Sequence, residues 1–445
     1  MRFLVFLFIV SISPASMSQD ATQLDLLDVL SLAKQYDPTL QAAQFQHQAG
    51  QQIETQGRAK LLPQIDLNAD YGLDKASLDY PDDASRTDVD SQSSRYGLSL
   101  SLKQALFDSD AWLSFREAQL QQQQAALNFQ QQQQTFLLKI ASAYFAYLQA
   151  QDSLRAIVAK KNAFEQALQR ANLSFKIGST AITDKLEAQS RFELAIAEEI
   201  DAQNLRDISQ SNLSLLIKQN VSRLAKLDVS QNLAVINDKE IDFWQQQVET
   251  NNVDIRLSQL ELKIAQQKHQ AAFGKMIPQV AFTASQAFQN QFSTFANSQV
   301  NSGNLQFGVS MSLPLFSGGE NMANKRQQAA LVNYAKNILR QAQLDASLKT
   351  QTLWSSAKTA FQRINAYERA LETSMSVLHA TQKGLEVGLR TNLDLLDAQQ
   401  QVFTTQNQLA TSRYQALLTQ LQLKAHAGIL DERDLVELNR FLQKS

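Results

Sequence analysis

The chain has no cysteine. Disulfides, thiolate metal sites and a lipid-modified N-terminal cysteine are therefore excluded, and any membrane anchor must be built from something else. Charge of either sign is also lacking in excess: 41 Lys and Arg face 43 Asp and Glu, a net charge of −2, so no nucleic acid or strongly acidic partner is expected. No later stretch approaches the roughly 20 apolar residues of a spanning helix. The short apolar run Phe3 to Val10 follows Arg2 and precedes small residues around Ser16 and Ser18, the pattern of an export signal. Residues 1–18 are expected to be that signal, with cleavage near Gln19. Histidine is sparse, and His47, His269, His379 and His426 fall in no His-x-x-x-His spacing, nucleophile elbow or phosphate loop. Neither catalysis nor a cofactor is expected.

Glycine and proline number only 13 and 6, and they cluster. None occurs from Asp108 to Ile177, from Ser179 to Phe273 or from Glu320 to Lys383. About 70 helical residues at a 1.5 Å rise would reach on the order of 100 Å, which implies long coiled-coil-like rods. Apolar residues recur in them at helical spacing, as in Leu137, Ile140, Tyr144, Tyr147 and Leu148, or Val402, Leu409, Ala416 and Leu417. The other faces carry Gln, Ser and Asn. The glutamine runs Gln121 to Gln124 and Gln130 to Gln134 keep embedded apolar residues in helical period and read as solvated helix faces.

Offsetting the chain against itself by a little over 210 residues reveals a duplication. Leu61-Leu62-Pro63-Gln64-Ile65 falls on Met276-Ile277-Pro278-Gln279-Val280, and Tyr96-Gly97-Leu98-Ser99-Leu100-Ser101-Leu102 on Phe307-Gly308-Val309-Ser310-Met311-Ser312-Leu313. The Gly178 and Gly388 segments coincide as well, as turns between helices. Each half reads as helix, strand, strand, helix, turn, helix, with a first repeat over 19–230 and a second over 231–445 that ends in a helical, equatorial segment.

Strands are expected at about 63–75, 94–106, 278–292 and 304–316, where apolar and polar residues alternate, as Ile65, Leu67, Ala69, Tyr71 and Leu73 do with Asp66, Asn68, Asp70, Gly72 and Asp74. Polar loops are expected from about Ala76 to Ser93 and Thr294 to Asn304. Alternation alone also fits two hairpins capping a helical bundle. Together with an export signal it points to an outer-membrane barrel. Lipid satisfies no open sheet edge, and single-chain barrels need about eight strands, so four strands must be pooled among subunits.

The segments Leu315-Phe316-Ser317-Gly318-Gly319 and Val387-Gly388-Leu389-Arg390-Thr391-Asn392-Leu393-Asp394-Leu395-Leu396-Asp397-Ala398, with the duplicated layout, resemble the TolC family of outer-membrane exit ducts. The resemblance implies an α+β membrane fold: a homotrimer whose 12-stranded β-barrel, four strands per subunit, sits in outer-membrane lipid and continues as a 12-helix α-barrel in the periplasm. It implies a passive duct for efflux or type I secretion, working with a periplasmic adaptor and an inner-membrane transporter. A periplasmic scaffold or adaptor without a pore is the alternative.

On residues alone, Asp394 and Asp397 share a helix face, either as a carboxylate ring or as acids favoured at a helix start. The resemblance places them at the tunnel entrance as two rings that bind cations, where mutual repulsion would raise some of their pKa values. It also implies a latch from Arg390 to Thr183 and Asp184 of the neighbouring coil. The family's tyrosine in that latch corresponds to Leu385, which donates no hydrogen bond.

Overall fold

The structure, a computed structural model, describes residues 23–78, 89–221, 223–228, 239–293 and 298–443. The expected export signal lies outside them, as do 79–88 and 294–297 between paired strands. Helix α1 (Leu26–Tyr36) and α2 (Pro38–Ala59) lead into strands β1 (Gln64–Leu78) and β2 (Val89–Phe107), then α3 (Ser109–Lys176) and α4 (Ile182–Ile217). After β3 (Lys226–Leu227) the order recurs as α5 (Ile241–Asn251), α6 (Val253–Gly274), β4 (Gln279–Ser293), β5 (Ser298–Ser312), α7 (Glu320–Glu386) and α8 (Asn392–His426). Helix α9 (Glu432–Asn439) and β6 (Leu442–Gln443) follow. Corresponding helices match in length: 11 and 11 residues, 22 and 22, 68 and 67, 36 and 35.

With no Gly or Pro in α3, and in α7 only Gly384 in the last turn, each runs about 100 Å. Shorter helices brace them: α2 and α4 lie along α3, and α6 and α8 along α7. In α2 the approach is close enough that a Cβ at Gly50 or Gly57 would collide with the Cβ of Ala125 or Ala118 on α3. Both α1–α2 and α5–α6 junctions turn on an Asx cap. Asp37 accepts from the N–H groups of Thr39 and Leu40 at 2.8 and 3.0 Å, ahead of Pro38 at the first helical position. Asn252 accepts from the N–H of Ile255 at 3.0 Å. No described helix is long and apolar enough to cross a membrane.

The glycine-free stretch after Ser179 is not one rod. Helix α4 stops at Lys218, which adopts a left-handed φ of 52°. The stop places Leu213, Ile217, Val221 and Leu224 in the main core beside Tyr144, Phe145, Tyr147 and Leu148 of α3, together with α1, α8 and α9. Burial of that cluster outweighs the modest cost of a non-glycine left-handed residue, about 1–2 kcal/mol. The Tyr144 hydroxyl donates to the Ala225 carbonyl at 2.8 Å, fixing the returning chain.

The four strands form one antiparallel sheet in the order β1-β2-β4-β5 rather than two hairpins stacked face to face. The β2–β4 pairing joins the halves, with Leu98 opposite Phe288. Register aligns the apolar residues across the sheet, for example Ile65, Leu102, Ala284 and Phe307. That face is open: Leu67, Tyr71, Phe307 and Met311 are about two-thirds exposed or more, and β5 is exposed along its whole length.

Strand bounds differ from the sequence expectation at the loop ends. Ala76 to Leu78, Val89 to Ser93 and Ser298 to Asn304 lie in strands, not loops, because backbone pairing continues after the apolar alternation ends. At the other end β5 stops at Ser312 instead of 316. Pro314 has no N–H to give a ladder.

Candidate functional site

The ends of α3 and α7 are built alike. In each, the final helical turn closes as a Schellman motif. Gly178 and Gly388 take φ of 76° and 75°, where side chains are strained. The Gly178 N–H donates to Phe175 O at 3.0 Å and Ser179 N–H to Ser174 O at 2.9 Å. Likewise Gly388 N–H donates to Leu385 O at 3.1 Å and Leu389 N–H to Gly384 O at 2.8 Å. The returning helices differ. Helix α8 starts with a capping box between Thr391 and Asp394, whereas α4 starts at Ala181 with no side-chain cap.

In the box, the Thr391 N–H and hydroxyl donate to the Asp394 carboxylate at 2.8 and 2.9 Å, and the Asp394 N–H donates to Thr391 Oγ1 at 3.1 Å. Arg390 Nη1 lies 3.9 Å from the same carboxylate. Asp394's pKa is therefore lowered, first by the Thr391 backbone bond, then by the Thr391 hydroxyl and Arg390. Within one subunit, donors and not carboxylates surround the group; the expected rise concerns three copies together. Arg390 is not bonded to Thr183 or Asp184 of its own subunit. Those two stand at the second and third positions of α4, where the helix dipole favours the Asp184 carboxylate. The Leu385 side chain is half-buried and carries no polar atom to join a latch.

Asp397 has a partner that the sequence did not disclose. Its Oδ1 lies 2.8 Å from Nη2 of Arg191 on α4, whose Nε lies 2.8 Å from Glu187 Oε1. Burial pulls the Arg191 pKa down, but Glu187 and Asp397 outweigh it and raise it. Beside this triad Leu396, only 1 % exposed, inserts among Phe164, Ala167 and Ala171 of α3 and Ala188 and Ala195 of α4. The Glu187–Arg191 spacing of four is readable in sequence. Its link to Asp397, on the other half of the chain, is not. Sequence reasoning also passed over Gly384, where a Cβ would come within 2.7 Å of Arg390 Cγ. Among the described residues, no group of His, Cys, Asp or Glu in one subunit could hold a metal ion.

A family model described as outer membrane efflux protein matches residues 29–217 and 244–428. The chain belongs to that family. Its two matched blocks fall on the two runs of elements around β1–β2 and β4–β5. The chain is similar to the alkaline protease secretion protein AprF of Pseudomonas aeruginosa, with 29 % identity covering 94 % of this chain and 87 % of that one. It is similar to the outer membrane protein TolC of Vibrio cholerae, with 27 % identity over 100 % of this chain and 99 % of that one. The fold matches the Campylobacter jejuni CmeC outer membrane channel with a TM-score of 0.75 at 15 % identity, over 94 % and 90 % of the two chains. As a member of the outer membrane efflux protein family, the chain is a channel protein of the outer membrane for efflux or type I secretion, and not an enzyme.

Proposed function

We propose that three copies close one 12-stranded barrel in the outer membrane and one 12-helix barrel in the periplasm, forming a passive duct. The open sheet carries this reading. Strands β1 and β5 are unpaired on their outer edges within the subunit, and lipid leaves no such edge unsatisfied. Copies can meet edge to edge, and the helices offer a second seam. Helix α4 exposes Leu194, Ile200, Leu205 and Leu215, and α7 exposes Leu331, Tyr334, Leu344 and Leu348, apolar stripes suited to one another. Strands of 15 residues span about 50 Å, more than a tilted strand needs for an apolar band of about 25 Å. The polar strand ends then project beyond the lipid.

The tip where α3 turns into α4 and α7 into α8 is the gate in this reading. Three copies of Asp394 and Asp397 ring its entrance and bind multivalent cations, and Arg390 reaches Thr183 and Asp184 of the neighbouring subunit when the tip is shut. A periplasmic adaptor and an inner-membrane transporter complete the path and supply the energy. Because relatives are named for secretion of proteases, protein is a cargo beside small toxic molecules. The detergent-solubilised mass, read together with planar-bilayer recording, tests the assembly. A trimer with small, cation-blocked conductance is expected; a stable water-soluble monomer would overturn it.

A further inference from the structure

We propose that Arg191 is a charge clasp, which ties α4 to α8 at the tip and offsets the charge of Asp397, whose side chain stays 60 % exposed, while the duct is shut. The inference rests on the tip being a gated constriction. One guanidinium, 23 % exposed, holds two carboxylates: Glu187 on its own helix and Asp397 on α8. Its planar fork suits this double engagement, which a lysine ammonium would not reproduce.

The position of the clasp gives it leverage. Ion pairs inside each helical hairpin hold that hairpin together: Lys160–Glu198 at 2.6 Å and Lys161–Glu199 at 2.8 Å join α3 to α4, and Arg413–Glu368 at 2.8 Å joins α7 to α8. Among the described residues, Arg191–Asp397 is the one ion pair that crosses between the two hairpins. Leu396 fixes the α8 backbone beside it against α3 and α4. Opening by movement of one hairpin past the other must therefore extract Leu396 and part Arg191 from Asp397. Each hairpin would survive intact.

Two consequences follow for the duct. In the shut state each Arg191 guanidinium is shared between Glu187 and Asp397 and offsets part of the Asp397 charge, so Asp394 supplies the larger part of the cation field. On opening, Asp397 is released and the entrance gains charge. Arg191 thus sets both the stability of the shut tip and its affinity for cations.

The test is planar-bilayer recording on detergent-purified trimers, with hexamminecobalt added from the tip side. Arg191→Gln is expected to raise conductance and to lower the blocking concentration about five-fold or more. Asp397→Asn breaks the clasp from the other side and should raise conductance without strengthening block. In Arg191→Gln with Asp397→Asn, conductance should stay high while block returns towards the original level. Arg191→Lys should fall between, and it substitutes for Arg191→Gln if that variant fails to form trimers. Unchanged conductance in the Arg191 variants, or conductance raised without the stronger block, overturns the clasp. Asp394→Ala, made with Arg191 intact, separates the two failures: block that survives it undiminished refutes the cation constriction itself.

Discussion

His426, near the end of α8, is buried at the point where α8, α7 and the α5–α6 junction meet. Its Nε2 lies 3.0 Å from the Ala346 carbonyl, which requires the proton on that nitrogen, and Asn252 donates to the His426 carbonyl at 2.7 Å. Burial lowers the imidazole pKa, the Ala346 contact and Asp254 opposing it and Lys349 adding to it. The unfolded chain then takes up a proton first as pH falls below about 6.5, so stability is full above that value and declines from there down to the folded pKa. Thermal unfolding from pH 8 to pH 5 should show that loss, and His426→Gln, which keeps a donor to Ala346, should flatten it. A slope unchanged in the variant would show that another group is responsible. Asp37 acts at lower pH. Burial raises its pKa, but Lys139 at 2.7 Å, Thr39 and the Leu40 N–H together bring it down to about 2 from 3.8. Its stabilisation is present above about 4 and is lost as pH falls through 2. Asp37→Ala should cost about 1–2 kcal/mol at neutral pH through the lost cap, measured by denaturant melting.

At the scale of elements, two long helices depend on close packing by short ones. Helix α2 reaches α3 through Gly50 and Gly57, where Ala125 and Ala118 leave no room for a methyl group. Gly57→Ala should gain up to about 1 kcal/mol in helix propensity and lose about 1–3 kcal/mol to overpacking, a net destabilisation. Moving the methyl group to the partner helix, Gly57→Ala with Ala118→Gly, should recover most of the loss. Failure of the swap to recover stability would mean that backbone flexibility at Gly57, and not the contact, is what matters. The helix turns are simpler: Gly388→Ala must hold φ near 75° and should cost about 1 kcal/mol, read as earlier melting of the tip.

At the scale of the whole molecule, the proposed assembly completes the sheet with neighbouring copies. Leu100 lies on the apolar face opposite Leu67, and Ser99 on the other face opposite Asn68. Leu100→Lys should cost about 2–4 kcal/mol per subunit in lipid and deplete heat-resistant oligomers on gels, while Ser99→Lys should assemble and alter ion selectivity. Equal loss in both variants would contradict a sheet with one face in lipid and the other in water. The rods, the two turns at Gly178 and Gly388, the four alternating strands and the Asp394–Asp397 spacing were legible in the chain because each depends on neighbours no more than about seven residues away. The strand ends were less so, since Ser298 to Asn304 pair through backbone alone.

The sequence by itself determined the local periods, the helix stops at the glycines and the duplication. Tertiary structure decided what no short window contains. It ended α4 at Lys218 by burying Leu213 and Ile217 in the central core, paired β2 with β4 across the halves, and gave Asp397 to Arg191. Propensity and pattern act over a few residues, whereas these outcomes depend on which distant surfaces exclude water together and on which charge a fold brings within 3 Å of another.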